Sequence, residues 1–140
     1  MTVQEVEDQI VEEFSIFDDW MDRYNYLIEL SKDLPLINEK EKTEQNVIKG
    51  CQSRVWVNAE YKDGKVQFTA DSDAIITKGI IALLIRVLSN RTPQEILDNE
   101  LTFIDKIGLK ENLSPTRANG LLAMIKQMKL YALAYKTKGE

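Results

Sequence analysis

Residues 55–88 read VWVNAEYKDGKVQFTADSDAIITKGIIALLIRVL, and this stretch decides the fold. Apolar and polar side chains alternate over residues 55–61 and again over residues 66–70, which is the pattern of two half-buried β-strands. Asp63-Gly64 lies between the two runs and is a strong signal for a tight hairpin turn. The first half of the stretch therefore predicts an antiparallel hairpin.

The second half of the stretch changes from strand to helix periodicity. Residues 74–88 are apolar on nearly every face, which is typical of a helix buried at the centre of a protein. Asp73 is the candidate N-cap of this helix. Gly79 lies inside it at a cost of about 1 kcal/mol relative to alanine, so we expect a neighbour to pack closely there. A short strand over Asn46–Ile48 is expected to extend the hairpin to a three-stranded antiparallel sheet.

Further helices are predicted on both sides of this stretch, and several carry start signals. They are expected over about 2–14 with a Thr2–Glu5 capping box, over 19–31 with Asp18 as N-cap, after a Thr92–Glu95 capping box, over 103–107, and from Ser114-Pro115 onward. Strands and helices in separate runs indicate an α+β fold with the helices on one face of a small sheet. The length of 140 residues fits a single domain over residues 1–140.

Charge and hydropathy limit the partners of the chain. Eighteen basic residues stand against 23 acidic ones, a net charge of −5, which argues against nucleic acid or an anionic membrane as a partner. The acidic N-terminus lacks the basic flank and apolar core of a signal peptide. The longest apolar run, residues 80–88, is interrupted by Arg86 and is too short to span a bilayer. We expect a cytoplasmic protein.

Two residue types are scarce, and their scarcity excludes whole classes of chemistry. The chain has no histidine and one cysteine, Cys51. A Cys-His or Ser-His catalytic pair, the usual zinc sites, a full set of iron–sulfur ligands and an intramolecular disulfide are all excluded within the chain. We expect no metal site and no cofactor.

Cys51 allows two interpretations from the residues alone. Free cysteine is among the most buried residue types and often packs as a small hydrophobe. Against this, Cys51 follows Gly50 before a predicted strand, and Lys49 and Arg54 are nearby cations that favour the thiolate. A reactive Cys51 would be restricted to one-thiol chemistry with a partner, such as persulfide, mixed-disulfide or glutathione exchange. A sulfur carrier fits that set.

Four segments resemble one known family. The stretch NVIKGCQSRVW, at residues 46–56, resembles the active-site signature of the SufE family of sulfur-acceptor proteins. LP at 34–35, DSDAIITKG at 71–79 and LSPTRANGL at 113–121 agree in order and spacing. The likeness covers about residues 14–135, and it implies a fold shared with the NifU/IscU-type cluster scaffolds.

The resemblance also implies a function and two partners. Cys51 would accept sulfur from a SufS-type pyridoxal-phosphate cysteine desulfurase, stimulate that enzyme, and pass the sulfur to the Suf scaffold complex for iron–sulfur cluster assembly. The chain would then be a carrier with a reactive thiol and not a stand-alone enzyme. A resting Cys51 in an apolar pocket would be protected from oxidation and would need a loop movement to react. Two alternatives stay open: an allosteric desulfurase activator with Cys51 incidental, and a cluster scaffold or metallochaperone.

Other residues are assigned to the site by position and by the resemblance. From the residues alone, Asp71 and Asp73 are turn and capping residues, and Arg117 is an exposed cation on a helix. For Arg117 the resemblance adds a role facing the partner or the cysteine loop. Thr116 stands where most family members have serine. We expect Gly50, Gln52, Ser53 and Arg54 to support the cysteine loop, and Asp71, Asp73 and Arg117 to face a partner.

Overall fold

A β-hairpin forms the only sheet among the residues that the computed structural model describes, 1–49 and 53–139. Strand β1 (Val55–Lys62) pairs antiparallel with β2 (Lys65–Ser72) in full register from end to end. The turn residues Asp63 and Gly64 have φ angles of 53° and 78°, as a type I′ turn requires. The predicted hairpin is confirmed.

The predicted helices occur in the predicted order, with one further short helix over Leu109–Asn112, and the α+β fold class is confirmed. The second helix begins one residue later than expected, because Asp19 and not Asp18 accepts the N-capping hydrogen bond, from the Met21 amide. The helices are α1 (Val3–Ser15), α2 (Trp20–Leu30), α3 (Ile75–Leu88), α4 (Pro93–Asp98), α5 (Phe103–Lys106), α6 (Leu109–Asn112) and α7 (Pro115–Gly139), with 3₁₀ turns at Ser31–Asp33 and Glu39–Glu41.

Helix α3 occupies the middle of the core, as its all-round apolar composition predicts. It packs against β2, α1, α2 and α7. Gly79 packs directly against α2: a Cβ added there would lie 2.3 Å from the Leu27 carbonyl oxygen. The expected close packing at Gly79 is therefore confirmed, and alanine does not fit without moving a helix.

The sheet has two strands and not three among the described residues, so the predicted strand over Asn46–Ile48 is wrong. This segment makes two backbone hydrogen bonds to the outer edge of β1, from Ile48 N to Val55 O (2.8 Å) and from Val57 N to Asn46 O (2.9 Å). The next outward-facing carbonyls of β1 accept hydrogen bonds from tyrosine hydroxyls of α7 instead. Side chains occupy the edge that a longer third strand would need.

The outer edge of β2 is also satisfied by segments outside the sheet. The Ala70 amide donates to the Pro35 carbonyl and the Ala70 carbonyl accepts from the Ile37 amide, both at 3.0 Å. Further along, Val66 exchanges hydrogen bonds with residues 90 and 91, and the Phe68 amide donates to Ser89 Oγ. Segments on both sides of the hairpin therefore pair its edge groups.

A half-buried ion pair joins α1 to α3 at the residue that interrupts the apolar run. The Arg86 guanidinium binds the Glu13 carboxylate with two parallel contacts of 2.8 and 2.5 Å. Tyr26 of α2 donates to the same carboxylate at 2.5 Å.

Among the described residues, none of the helices combines the length and the apolar composition needed to cross a bilayer.

Candidate functional site

The candidate site is the segment that carries the single cysteine. Gly50, Cys51 and Gln52 lie outside the described residues, and the chain on either side of them frames the site. We call residues 46–48 and 53–55 the stem of the cysteine loop. The stem stands at the end of the hairpin opposite the Asp63-Gly64 turn.

The two sides of the stem are joined directly to each other. The hydrogen bonds from Ile48 N to Val55 O and from Val57 N to Asn46 O form one short antiparallel bridge, with Val47 opposite Trp56. Ile48 is 4% exposed, so its side chain is fixed in the core as well. The chain entering the cysteine loop is therefore held against the chain leaving it.

Asn46, the first residue of the signature, is bonded through its backbone and through both polar atoms of its side chain. It is 8% exposed. Its amide nitrogen Nδ2 donates to the Glu41 carbonyl at 2.6 Å, and its Oδ1 accepts from the Tyr131 hydroxyl at 2.6 Å. Its backbone N–H donates to Thr43 O at 3.0 Å. A buried amide bonded in this way has one orientation, since any rotation would leave polar atoms unpaired.

Asp73 fixes the other side of the stem, and its predicted role as the N-cap of α3 is wrong. The N-cap residue is Ala74, which makes no side-chain cap. Asp73 Oδ1 instead accepts from the Arg54 amide at 3.1 Å, and the Asp73 amide donates to the Arg54 carbonyl. Ser72 Oγ donates to that same carbonyl at 2.8 Å. The Asp73 carboxylate thus continues the β1–β2 hydrogen-bond ladder by one residue toward the cysteine.

Asp71 lies on the solvent face of the sheet in an ion cluster. Its carboxylate is 2.7 Å from Lys42 Nζ and 3.3 Å from Lys78 Nζ, and its side chain is 17% exposed. Burial by itself raises the pKa of Asp71, but hydrogen bonds from Lys42, the Ser72 amide and Lys78 outweigh it and hold the pKa below its usual value. Lys42 also lies 5.1 Å from the centre of the Trp56 ring, and its pKa is raised, chiefly by Asp71. Asp71 is already paired within the chain.

Ser53 and Arg117 line one small cavity, although they are far apart in sequence. The cavity has a volume of about 70 Å³. Arg117 is exposed, contacts the Tyr24 hydroxyl, and lies 5.8 Å from the centre of the Tyr24 ring. The described residues that line the cavity are Ser53, Thr77, Ile80, Thr116, Arg117, Gly120 and Met124.

The charges beside the cysteine loop are solvated. Lys49 is 83% exposed in its side chain and lies 3.8 Å from Glu44, and Arg54 is exposed. Salt and water screen such charges, so Lys49 favours a thiolate less than its sequence position suggests. Within the described part of the chain, histidine, cysteine and acidic side chains form no group able to hold a metal ion.

Sequence reasoning missed two residues that shape the site. Lys42 falls in a charged stretch that reads as a solvated loop, yet it covers Trp56 and binds Asp71 from 29 residues away. Tyr131 belongs to the C-terminal helix and binds Asn46 from 85 residues away. The helix pattern shows which face Tyr131 occupies, but its partner depends on how α7 crosses β1.

Comparisons with known proteins agree on one family. The family model described as "SufE: Fe-S metabolism associated domain" matches residues 8–132. An uncharacterized SufE-like protein of Rhizobium meliloti (strain 1021) is 40% identical over 127 residues, which cover 87% of this chain and 91% of the relative. A SufE-like protein of Synechocystis sp. is 40% identical over 128 residues, covering 91% of this chain and 80% of the relative.

Two further matches extend the comparison to a larger protein and to a solved fold. SufE-like protein 1, chloroplastic/mitochondrial, of Arabidopsis thaliana is 40% identical over 133 residues, which are 94% of this chain and 36% of that protein. The solution structure of a hypothetical protein from Thermus thermophilus has the same fold, with a TM-score of 0.78 at 24% identity over 94% of this chain and 96% of that one. The cysteine signature, the α+β fold and the relatives agree: the chain belongs to the SufE family.

Proposed function

We propose that this protein is a sulfur acceptor and carrier whose Cys51 takes the terminal sulfur of a persulfide on a SufS-type, pyridoxal-phosphate-dependent cysteine desulfurase. It stimulates that enzyme by removing its product, and it passes the sulfur to the Suf scaffold complex for iron–sulfur cluster assembly. Family membership supports a role in iron–sulfur metabolism. The choice of donor and recipient comes from the signature around Cys51.

The observation that carries the proposal is the double anchoring of the stem. Asn46 and Ile48 are tied to β1 on one side, and Arg54 is tied to Ser72 and Asp73 on the other. A cysteine needed only for packing has no use for such an anchored support outside the sheet. Reactive residues are commonly carried on loops that a rigid scaffold positions.

The chemistry is a thiol exchange that needs no base or metal from this chain. The Cys51 thiolate attacks the outer sulfur of the donor persulfide; the donor's S–S bond breaks as the new S–S bond forms. The donor cysteine leaves as a thiolate, and the proton of the outer sulfur stays with the transferred atom. Atoms and electrons balance without an external oxidant. The absence of histidine is therefore compatible with the reaction.

The cavity beside Ser53 supports a protected resting state for the thiol. Cys51 is two residues from Ser53 along the chain, and Ser53 lines this cavity. About 70 Å³ is room for a group of side-chain size, and Ile80 and Met124 provide apolar walls. We propose that the thiol rests there and is released when the desulfurase binds.

Intact-protein mass spectrometry after incubation with the desulfurase and cysteine tests the proposal. We expect a gain of one sulfur atom that a reductant removes, and no gain in Cys51→Ser. Desulfurase turnover should rise with the wild-type protein and not with the variant. A Cys51→Ser protein that still stimulates the enzyme would replace the carrier with an allosteric activator, and a wild-type protein that gains no sulfur would end the proposal.

A further inference from the structure

The Tyr131 hydroxyl is one point at which the C-terminal helix contacts the stem of the cysteine loop. It lies 2.6 Å from Asn46 Oδ1 and 3.1 Å from the Val57 carbonyl oxygen. Tyr131 is half-buried, and burial raises the pKa of its phenol, so the hydroxyl keeps its proton at neutral pH. Its single proton serves both acceptors, and the shorter contact is the one to the stem residue Asn46.

Asn46 transmits this contact along the chain toward the cysteine. Its side-chain nitrogen and its backbone groups are bonded to Glu41, Thr43 and Val57. Tyr131 supplies the donor for the remaining side-chain atom, Oδ1. Without that donor a buried acceptor would be left unpaired, and the side chain would turn or draw water into the stem.

Tyr135, one helical turn further, provides a natural comparison. Its hydroxyl donates to the Ala59 carbonyl at 2.7 Å, and its ring stacks on Tyr61 with centroids 5.2 Å apart. Both tyrosines therefore hold α7 against the same edge of β1 by the same kind of bond. Tyr131 contacts the stem, whereas these contacts of Tyr135 are with the far half of β1.

We propose that Tyr131 is a positioning residue for the reaction of Cys51: by fixing Asn46 it holds the entering side of the stem, and through it the placement of the thiol. This inference rests on the proposed sulfur-acceptor function. It makes the C-terminal helix part of the reactive site and not only a cover of the sheet. Tyr131 itself touches no reacting atom.

The matched pair Tyr131→Phe and Tyr135→Phe tests this role. Each variant removes one hydroxyl that bonds α7 to β1, so we expect similar, small decreases in Tm for both. In Tyr131→Phe alone, the rate of sulfur acceptance by Cys51 should fall by roughly three- to tenfold, the effect expected from one lost hydrogen bond. The rate of Cys51 alkylation by iodoacetamide should rise, because a loosened stem presents the thiol in more orientations. Equal alkylation and transfer rates in the two variants would overturn the inference.

An Asn46→Ala background tests the route of the coupling. If Tyr131 acts through Asn46, adding Tyr131→Phe to Asn46→Ala should change the alkylation rate no further. A further change of the full single-variant size would show that Tyr131 acts through Val57 and would overturn the proposed route. Alkylation needs no desulfurase, so a wild-type protein that accepts no sulfur would end the proposed function while the alkylation comparison still decides the role of Tyr131.

Discussion

Asp73 lies where a helix N-cap would be expected, yet its carboxylate bonds across the hairpin. The sequence shows an acidic residue directly before a helix, which is the ordinary signal for a cap. Asp73 Oδ1 accepts a hydrogen bond from the amide of Arg54, 19 residues earlier, because the β1–β2 register brings Asp73 and Arg54 opposite each other. The local pattern could not reveal a partner that depends on strand pairing.

Replacing Asp73 separates a loop-holding role from a charge presented to a partner. Asp73→Ala removes the acceptor of the Arg54 amide, so we expect sulfur acceptance by Cys51 to slow by roughly three- to tenfold. The bond lies at the surface, so the free energy of unfolding should change by less than about 1 kcal/mol. Asp73→Asn keeps a side-chain oxygen and should retain most of the rate. Mass-spectrometric time courses and urea unfolding measure the two quantities.

The asparagine variant decides between the two roles. If Asp73→Asn is as slow as Asp73→Ala, the negative charge itself matters and Asp73 acts on the partner. The desulfurase affinity of both variants, measured by titration, should then fall together.

At the scale of elements, α1 and α3 are joined by the Glu13–Arg86 pair. Hydrogen bonding to Arg86 holds the pKa of Glu13 below its usual value, with Tyr26 contributing in the same direction. Burial, together with the adjacent Glu13, raises the pKa of Tyr26 to about 12. Arg86 interrupts the apolar run of α3, and its partner explains why the helix accepts a charge there.

The Glu13–Arg86 pair should make stability depend on pH in the acid range. A carboxylate whose pKa is lower in the folded than in the unfolded chain stabilises the fold above the unfolded pKa, and this contribution is lost as the pH falls through the folded pKa. Glu13→Gln should therefore cost about 1–2 kcal/mol at pH 7, where the bidentate bond is complete, and progressively less as the pH falls through the folded pKa of Glu13. Urea unfolding at a series of pH values measures the difference.

Glu12 provides the control for this measurement, since it precedes Glu13 in α1 and is exposed. Glu12→Gln should leave the unfolding free energy nearly unchanged at every pH. A loss in Glu13→Gln that stayed constant across the whole pH series would show that packing, and not the ion pair, accounts for it.

The predictability of the elements follows the range of the interactions that form them. The hairpin turn, the two capping boxes and the buried helix depend on neighbours a few residues apart, and they are confirmed. The third strand depended on whether segment 46–48 could continue along β1. Tyrosine hydroxyls from α7 take the next carbonyls, and no pattern near residue 46 contains that information.

At the scale of the whole molecule, the pKa of one buried carboxyl group, Glu7, is shifted in the opposite direction to those of three other glutamates. Glu7 is 5% exposed, and its Oε1 has no hydrogen-bond partner among the described residues. Burial raises the pKa of Glu7, whereas the pKa values of Glu5, Glu13 and Glu95 are lowered by bonding to Thr2, Arg86 and Thr92 respectively. A raised carboxyl pKa favours the folded protein at low pH and costs stability once the group ionises.

Replacing Glu7 should therefore stabilise the protein at neutral pH. Glu7→Gln removes a buried charge and keeps the shape, so we expect the free energy of unfolding at pH 7 to rise by about 1 kcal/mol. The gain should shrink as the pH falls through the range where Glu7 takes up its proton. A variant that is less stable than the wild type at pH 7 would contradict this, since the ionised carboxylate would then be stabilising.

The chemistry proposed for the site comes from the sequence, whereas the contacts around the site could not be read from it. The signature around Cys51 and the lack of histidine indicate one-thiol chemistry from the sequence alone. Ser53 and Arg117 meet at one cavity, and Asn46 meets Tyr131, through the tertiary packing of α7. Residues so far apart in the chain share no local periodicity, so these contacts required the fold.

The pairing of both hairpin edges has a consequence for recognition. Many proteins bind a partner by adding its extended segment to an exposed strand, and the same exposed edges let chains polymerise. In the described chain, backbone groups along β1 and β2 are already bonded to Asn46, the α7 tyrosines and the segments at 35–37 and 89–91. A partner segment cannot add as a strand at these positions, so for the proposed desulfurase we expect specificity to come from side chains around the cysteine loop, where substitutions leave the sheet intact.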